Sequence, residues 1–140
     1  MKKIIFQSLA IMLFLGINVG KSQAPEKVKN LFKLKFANAT HVKWEKEGSK
    51  EFEASFMLNG KACSANFTAE GECVETEIPI LLSELPDMVK DAFYSKYGKD
   101  RVIIAIAQIV QKNHPMQYEI EYKAGKKTKE ALFTGKGEQL

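Results

Sequence analysis

The chain has 140 residues, 45% of them apolar, 27% charged and 10% aromatic, fractions that exclude a disordered, collagen-like or multi-span membrane protein. Its formal charge of +4 depends on Lys2, Lys3 and Lys21 in a leader of 24 residues without acids. Setting those three aside leaves 18 basic against 17 acidic residues, so no nucleic-acid partner is expected.

Met1-Lys2-Lys3 forms a short positive start, followed by the mostly apolar stretch Ile4 to Val19 and small residues at Gly20, Ser22 and Ala24. That order is a secretory signal peptide, with cleavage expected near Ser22 or Ala24. Its 16 apolar-stretch residues fall short of the roughly 20 that cross a bilayer. With no cysteine near the cleavage region, no lipid anchor is expected. Residues 1–24 are therefore read as signal, and the mature chain as soluble, periplasmic or secreted, with no membrane contact after cleavage.

The mature chain repeats itself. Pro25-Glu26-Lys27-Val28-Lys29-Asn30-Leu31-Phe32 lies over Pro86-Asp87-Met88-Val89-Lys90-Asp91-Ala92-Phe93 at a spacing of 61, and Lys35-Phe36 over Lys96-Tyr97. Phe52-Glu53, Phe56 and Phe67-Thr68 recur as Tyr118-Glu119, Tyr122 and Phe133-Thr134 at a spacing of 66. The ordered set of landmarks argues for duplication, with residues 25–80 as one unit and 81–140 as the second.

Each unit opens on a helix. Val28, Leu31, Phe32 and Phe36 follow helical periodicity, and Val89, Ala92, Phe93 and Tyr97 copy it. Proline at the first turn loses no helical hydrogen bond, and the acid after it suits the positive helix end. Gly98 is expected to stop the second helix. Alternation of period two then predicts strands. Val42 and Trp44 oppose Lys43 and Glu45, and Phe52, Ala54, Phe56 and Leu58 oppose Glu51, Glu53, Ser55 and Met57. Asn59-Gly60 predicts a tight hairpin turn, because both positions favour positive φ. Cys63, Ala65 and Phe67 continue the inward face, and the chain turns through Glu70-Gly71 into a fourth strand over 73–77. The second unit is expected to place strands near 101–110, 116–123, 127–133 and 138–140. The fold class is α+β: two tandem repeats, each a helix followed by four antiparallel strands, joined into one broad sheet with the helices on one face. Trp44 is expected to be largely buried between the first helix and the sheet.

Pro25 with Val28, Phe32 and Phe36, then Asn38-Ala39, Val42-Lys43-Trp44-Glu45, Phe52-Glu53-Ala54 and Leu58-Asn59-Gly60-Lys61, resemble the PepSY-like proteins of Bacteroidetes. That family is described as sharing a fold with the beta-lactamase-inhibitor protein. The resemblance spans both repeats and implies an exported, non-catalytic protein. Cys63 and Cys73 stand where relatives tend to carry aromatics, and the last strand is cut short at Leu140.

Motifs for catalysis are not found: the sequence has no phosphate loop, no G-x-S-x-G elbow and no H-E-x-x-H pair. Neither His41 nor His114 stands in a nucleophile or metal motif. No enzyme activity, cofactor or metal site is expected. Cys63 and Cys73 are allowed to pair in an exported protein. The expected strand offset nevertheless separates them by about 13 Å, beyond the roughly 7 Å a disulfide spans. Two candidate surfaces remain. Glu51, Glu53, Glu119 and Glu121 should share the polar sheet face, with Glu75 or Glu77 nearby and Lys43, Lys61, Lys123 and Lys127 offsetting their charge. This is a solvated face or a site for a cation or basic peptide. The strand Arg101 to Val110 breaks the alternation, placing Ile103, Ala105, Ala107 and Ile109 where the first copy has Lys43 and Glu45. That apolar run is the candidate partner-binding patch, for another periplasmic protein or for a homodimer. The leading expectation is an exported binding or inhibitory module contacting a protein or peptide. The alternative is a small-molecule or ion carrier with its pocket between helices and sheet.

Overall fold

The structure, a computed structural model, describes residues 24–140. The predicted signal peptide lies almost wholly outside the described residues. Helix α1 (Glu26–Lys35) precedes strands β1 (Thr40–Glu47), β2 (Glu51–Leu58), β3 (Lys61–Thr68) and β4 (Cys73–Pro79). A 3-10 turn at Leu82–Glu84 leads into helix α2 (Asp87–Tyr97), then β5 (Ile103–Gln111), β6 (Gln117–Ala124) and β7 (Lys127–Thr134). All seven strands form one antiparallel sheet in chain order, β1 to β7.

Both helices start as the sequence predicts. Pro25 and Pro86 precede the first helical residue, and the acid beside each is bonded one turn on, Glu26 by Lys29 at 2.8 Å and Asp87 by Lys90 at 3.1 Å. Gly98, at φ 96°, ends α2 with its N–H on the Tyr94 carbonyl. Helix α1 ends at Phe36 instead, whose N–H reaches the Phe32 carbonyl. At the first hairpin Asn59 and Gly60 adopt φ of 51° and 77°, the positive values that the tight turn demands.

The register puts both helices on one sheet face. Ala65 on β3, in the α1 core, aligns with Thr76 on β4 and then Val110 on β5. Ile78, also packed on the α1 core, aligns with Gln108 and then with Tyr118 of the α2 core. Between helices and sheet lie two ring clusters of the same design. Phe32 meets Phe36, Phe56 and Phe67 at centroid distances of 5.2, 5.0 and 6.0 Å. Phe93 meets Tyr97, Tyr122 and Phe133 at 5.1, 5.3 and 6.4 Å. Phe36–Phe56 and Tyr97–Tyr122 are both 4.7 Å apart, tilted by 44° and 41°. These are the residues that the 61- and 66-residue offsets superimpose. Edge-to-face rings at such distances add to the burial of Val28, Phe32, Val89 and Phe93, all at most 3% exposed.

The second half departs from four strands. It has three, and the expected strand at 138–140 is reduced to a bridge between Phe133 and Gln139. The segment is fixed by bonds from Leu140 N–H to Leu132 O and from Gln139 to the Tyr97 hydroxyl. Strands β1 and β5 each carry a bulge, before Lys43 and between Ile103 and Ala105. Through those bulges Trp44 corresponds to Ile106, each opposite equivalent residues Ala54 and Ile120. Trp44 itself is half-buried, because β1 is an edge strand. It packs edge-on to Phe32 at 5.3 Å and tilted on Phe67 at 5.8 Å.

Candidate functional site

Side chains alternate along a strand, so every second residue points away from the helices. The register assigns to that open face Glu45 and Glu47 on β1, Glu51 and Glu53 on β2, Glu75 and Glu77 on β4, Glu119 and Glu121 on β6, and Glu130 on β7. Glu51, Glu53, Glu119 and Glu121, expected together from the sequence, share it with five further carboxylates. The counter-charge is smaller than expected. Lys43 and Lys123 lie on this face, but Lys61 and Lys127 align with Leu58 and Ala124 and so belong to the helix side. Lys61 serves there as an ion-pair partner for Glu84 at 3.6 Å.

Crowding of like charge and poor access to water act on the same groups. Glu53 is 8% exposed, and burial, reinforced by Glu47, Glu45 and Glu75, pushes its carboxyl up to about 7. Burial, with Glu119, Glu75, Glu53 and Glu130 around it, raises Glu77 to about 8. Glu119 rises to about 7, again from burial first and then from Glu130, Glu121 and Glu75. Near neutrality these three carboxyls are therefore partly protonated. Gln111 Nε2 donates to Glu75 Oε2 at 2.5 Å. Gln117, at the start of β6, aligns with Ile109 and Thr134 on this face; it is 8% exposed, and its Oε1 is buried without a hydrogen-bond partner. An unmet buried acceptor costs about 1–3 kcal/mol. Nothing in the sequence reading singled out Gln117, although its place two residues before Glu119 was visible.

The expected apolar patch is corrected at two points. Ile103 aligns with Tyr122 and packs against the α2 core, because the bulge after it adds one residue and reverses its face. Ala105, Ala107 and Ile109 do lie on the open face, but Ile109 is 3% and Ala107 8% exposed. Long neighbours cover them: Ile109 sits between Glu77 and Gln117, and Ala107 beside Glu119. They form the floor of the acidic face rather than a bare apolar surface.

Elsewhere, Cys63 and Cys73 are free thiols, and burial raises Cys63 above the usual thiol range. Cys73 aligns with Phe67, four residues along β3 from Cys63, the offset the sequence predicts. Exposed His41 takes φ 54° in the β1 bulge, with Thr40 Oγ1 3.2 Å from its ring. His114 borders an open hollow at one end of the sheet, with Glu51, Asn66, Glu75 and Gln111. Among the described residues no group of three or more His, Cys, Asp or Glu is arranged to hold a metal ion, and no helix is long and apolar enough to cross a membrane. The ring clusters fill the space between helices and sheet where a carrier would need its pocket.

No protein-family model matches the chain, and no curated protein matches it by sequence. Solved structures do. A Bacteroides eggerthii protein described as one of the "putative periplasmic proteins" superposes with TM-score 0.78 and 25% identity, over 84% of this chain and 86% of its own. A BLIP-like protein of Bacteroides fragilis gives 0.72 and 23%, over 86% of each chain. The chain has the BLIP-like fold. A DUF2874 family protein of Bacteroides uniformis shares it, with TM-score 0.76 and 20% identity over 84% of this chain and 87% of that one.

Proposed function

We propose that the mature chain is an exported, periplasmic, non-catalytic binding module that docks a protein or peptide on its open sheet face. The observation that carries this reading is the Gln117 Oε1, an acceptor buried without a partner on the face that gathers nine glutamates. Its cost is recovered when the amide turns out to a docked donor. The periplasmic description of the eggerthii protein and the BLIP-like name of the fragilis protein support location and class. The partner-binding role first assigned to Ile103, Ala105, Ala107 and Ile109 passes to this face, where the last three form the floor.

Photo-cross-linking in the native periplasm tests the reading. A photoreactive residue replacing Asn66 on the open face should give a discrete adduct, whereas one replacing Leu34, 80% exposed on α1, should give none. Adducts at Leu34 alone would contradict the proposal.

A further inference from the structure

We infer that the segment received by the open face is extended and basic, presenting Lys or Arg donors to Glu77, Glu119 and the Gln117 Oε1. This deepens the proposed docking role and rests on it. Charge complementarity selects the occupant: nine glutamates share the face with Lys43 and Lys123. A second copy docking by the same face would set those glutamates against their own kind, which costs several kcal/mol. The buried Oε1 adds an independent requirement, since it can be satisfied only by a donor.

Spacing decides between a single cation and a chain segment. Glu53, Glu77 and Glu119 stand on β2, β4 and β6, so consecutive members are about 10 Å apart across the sheet. One ion cannot bridge all three, and among the described residues no group of three or more carboxylates is arranged to hold a metal ion. An extended chain covers it in about three residues. In the polyproline-II form of extended chain, three residues rise about 9 Å and return the side chain to the same side, so a basic residue at every third position would meet Glu53, Glu77 and Glu119 in turn. Glu53 from β2, Glu75 on its own strand, Glu119 from β6 and Glu130 from β7 act on Glu77, and Lys43 of β1 stands in the same cross-strand row beyond Ser55 and Ser64. Docking of cations requires these carboxyls charged, so it should weaken as pH falls through about 8 to 7.

The test is calorimetric titration of the mature chain, at low salt, with a capped heptapeptide carrying lysine at positions one, four and seven and alanine elsewhere. At pH 8.5 it should bind, with at least tenfold weaker binding at pH 5.5. Glu77→Gln with Glu119→Gln should weaken it at least tenfold, and Gln117→Met severalfold. The equally charge-changing pair Glu70→Gln with Asp91→Asn, exposed and off the sheet, should change it less than twofold. Equal losses in the two pairs, equal binding of a peptide with glutamate in place of lysine, or self-association at pH 8.5 would overturn the inference. If the peptide fails while Asn66 still cross-links a partner, the basic segment is wrong and the docking face survives.

Discussion

Gln117 and Trp44 show what single residues contribute. Replacing the Gln117 amide by an apolar side chain of similar length removes a buried acceptor that nothing meets. Gln117→Met should therefore stabilise the free protein by about 1 kcal/mol, measured by urea unfolding, while weakening docking. A loss of stability would show that the amide is satisfied in solution. Trp44 behaves in the ordinary direction. Half-buried against Phe32 and Phe67, it should cost about 2–3 kcal/mol when changed to alanine, below the 3–5 kcal/mol of a fully enclosed ring. Phe93→Ala, with Phe93 at 0% exposure, should reach that upper range.

At the scale of elements, strand β5 separates two isoleucines that looked alike in the sequence. Ile103 packs on the α2 core, so Ile103→Lys should destabilise by about 2 kcal/mol or more. Ile109 lies on the open face between Glu77 and Gln117. There a lysine stem covers the same floor while its ammonium reaches the carboxylates, so Ile109→Lys should fold, lower the Glu77 midpoint and block the basic peptide. Thermal unfolding and the peptide titration check both variants. The helices, the Asn59-Gly60 turn and the matching ring pairs were legible because each rests on local chemistry or on duplicated landmarks. The bulge after Ile103 was not, since adding one residue leaves no mark in a run as uniform as Ile-Ile-Ala-Ile-Ala. The last strand was over-read because the recurrence of Gly71-Glu72 as Gly137-Glu138 marks a turn but not the ladder after it, which is a single bridge.

For the whole molecule, alternation in the sequence revealed the acidic face, but not its density. Only strand order brings β1, β2, β4, β6 and β7 into one surface, and only register moves Lys61 and Lys127 off it. The consequence is a distinctive pH dependence. Glu53, Glu77 and Glu119 hold protons more tightly folded than unfolded, where a glutamate titrates near 4.5. Their contribution to stability is complete below about 4.5 and is lost as pH rises through 7 to 8. The melting temperature should thus be higher at pH 5.5 than at pH 9, opposite to the trend for docking a cation. Glu77→Gln should flatten the curve, with a gain on the order of 1–2 kcal/mol at pH 9.

The central claim is that this face holds carboxylates short of positive charge, and their own titration addresses it most directly. Side-chain carboxyl carbon shifts, followed by NMR from pH 3 to 10, should give midpoints of about 7 for Glu53, 8 for Glu77 and 7 for Glu119. All three should fall when the lysine heptapeptide is bound. Midpoints near 4.5 in the free protein, unmoved by the peptide, would contradict the account.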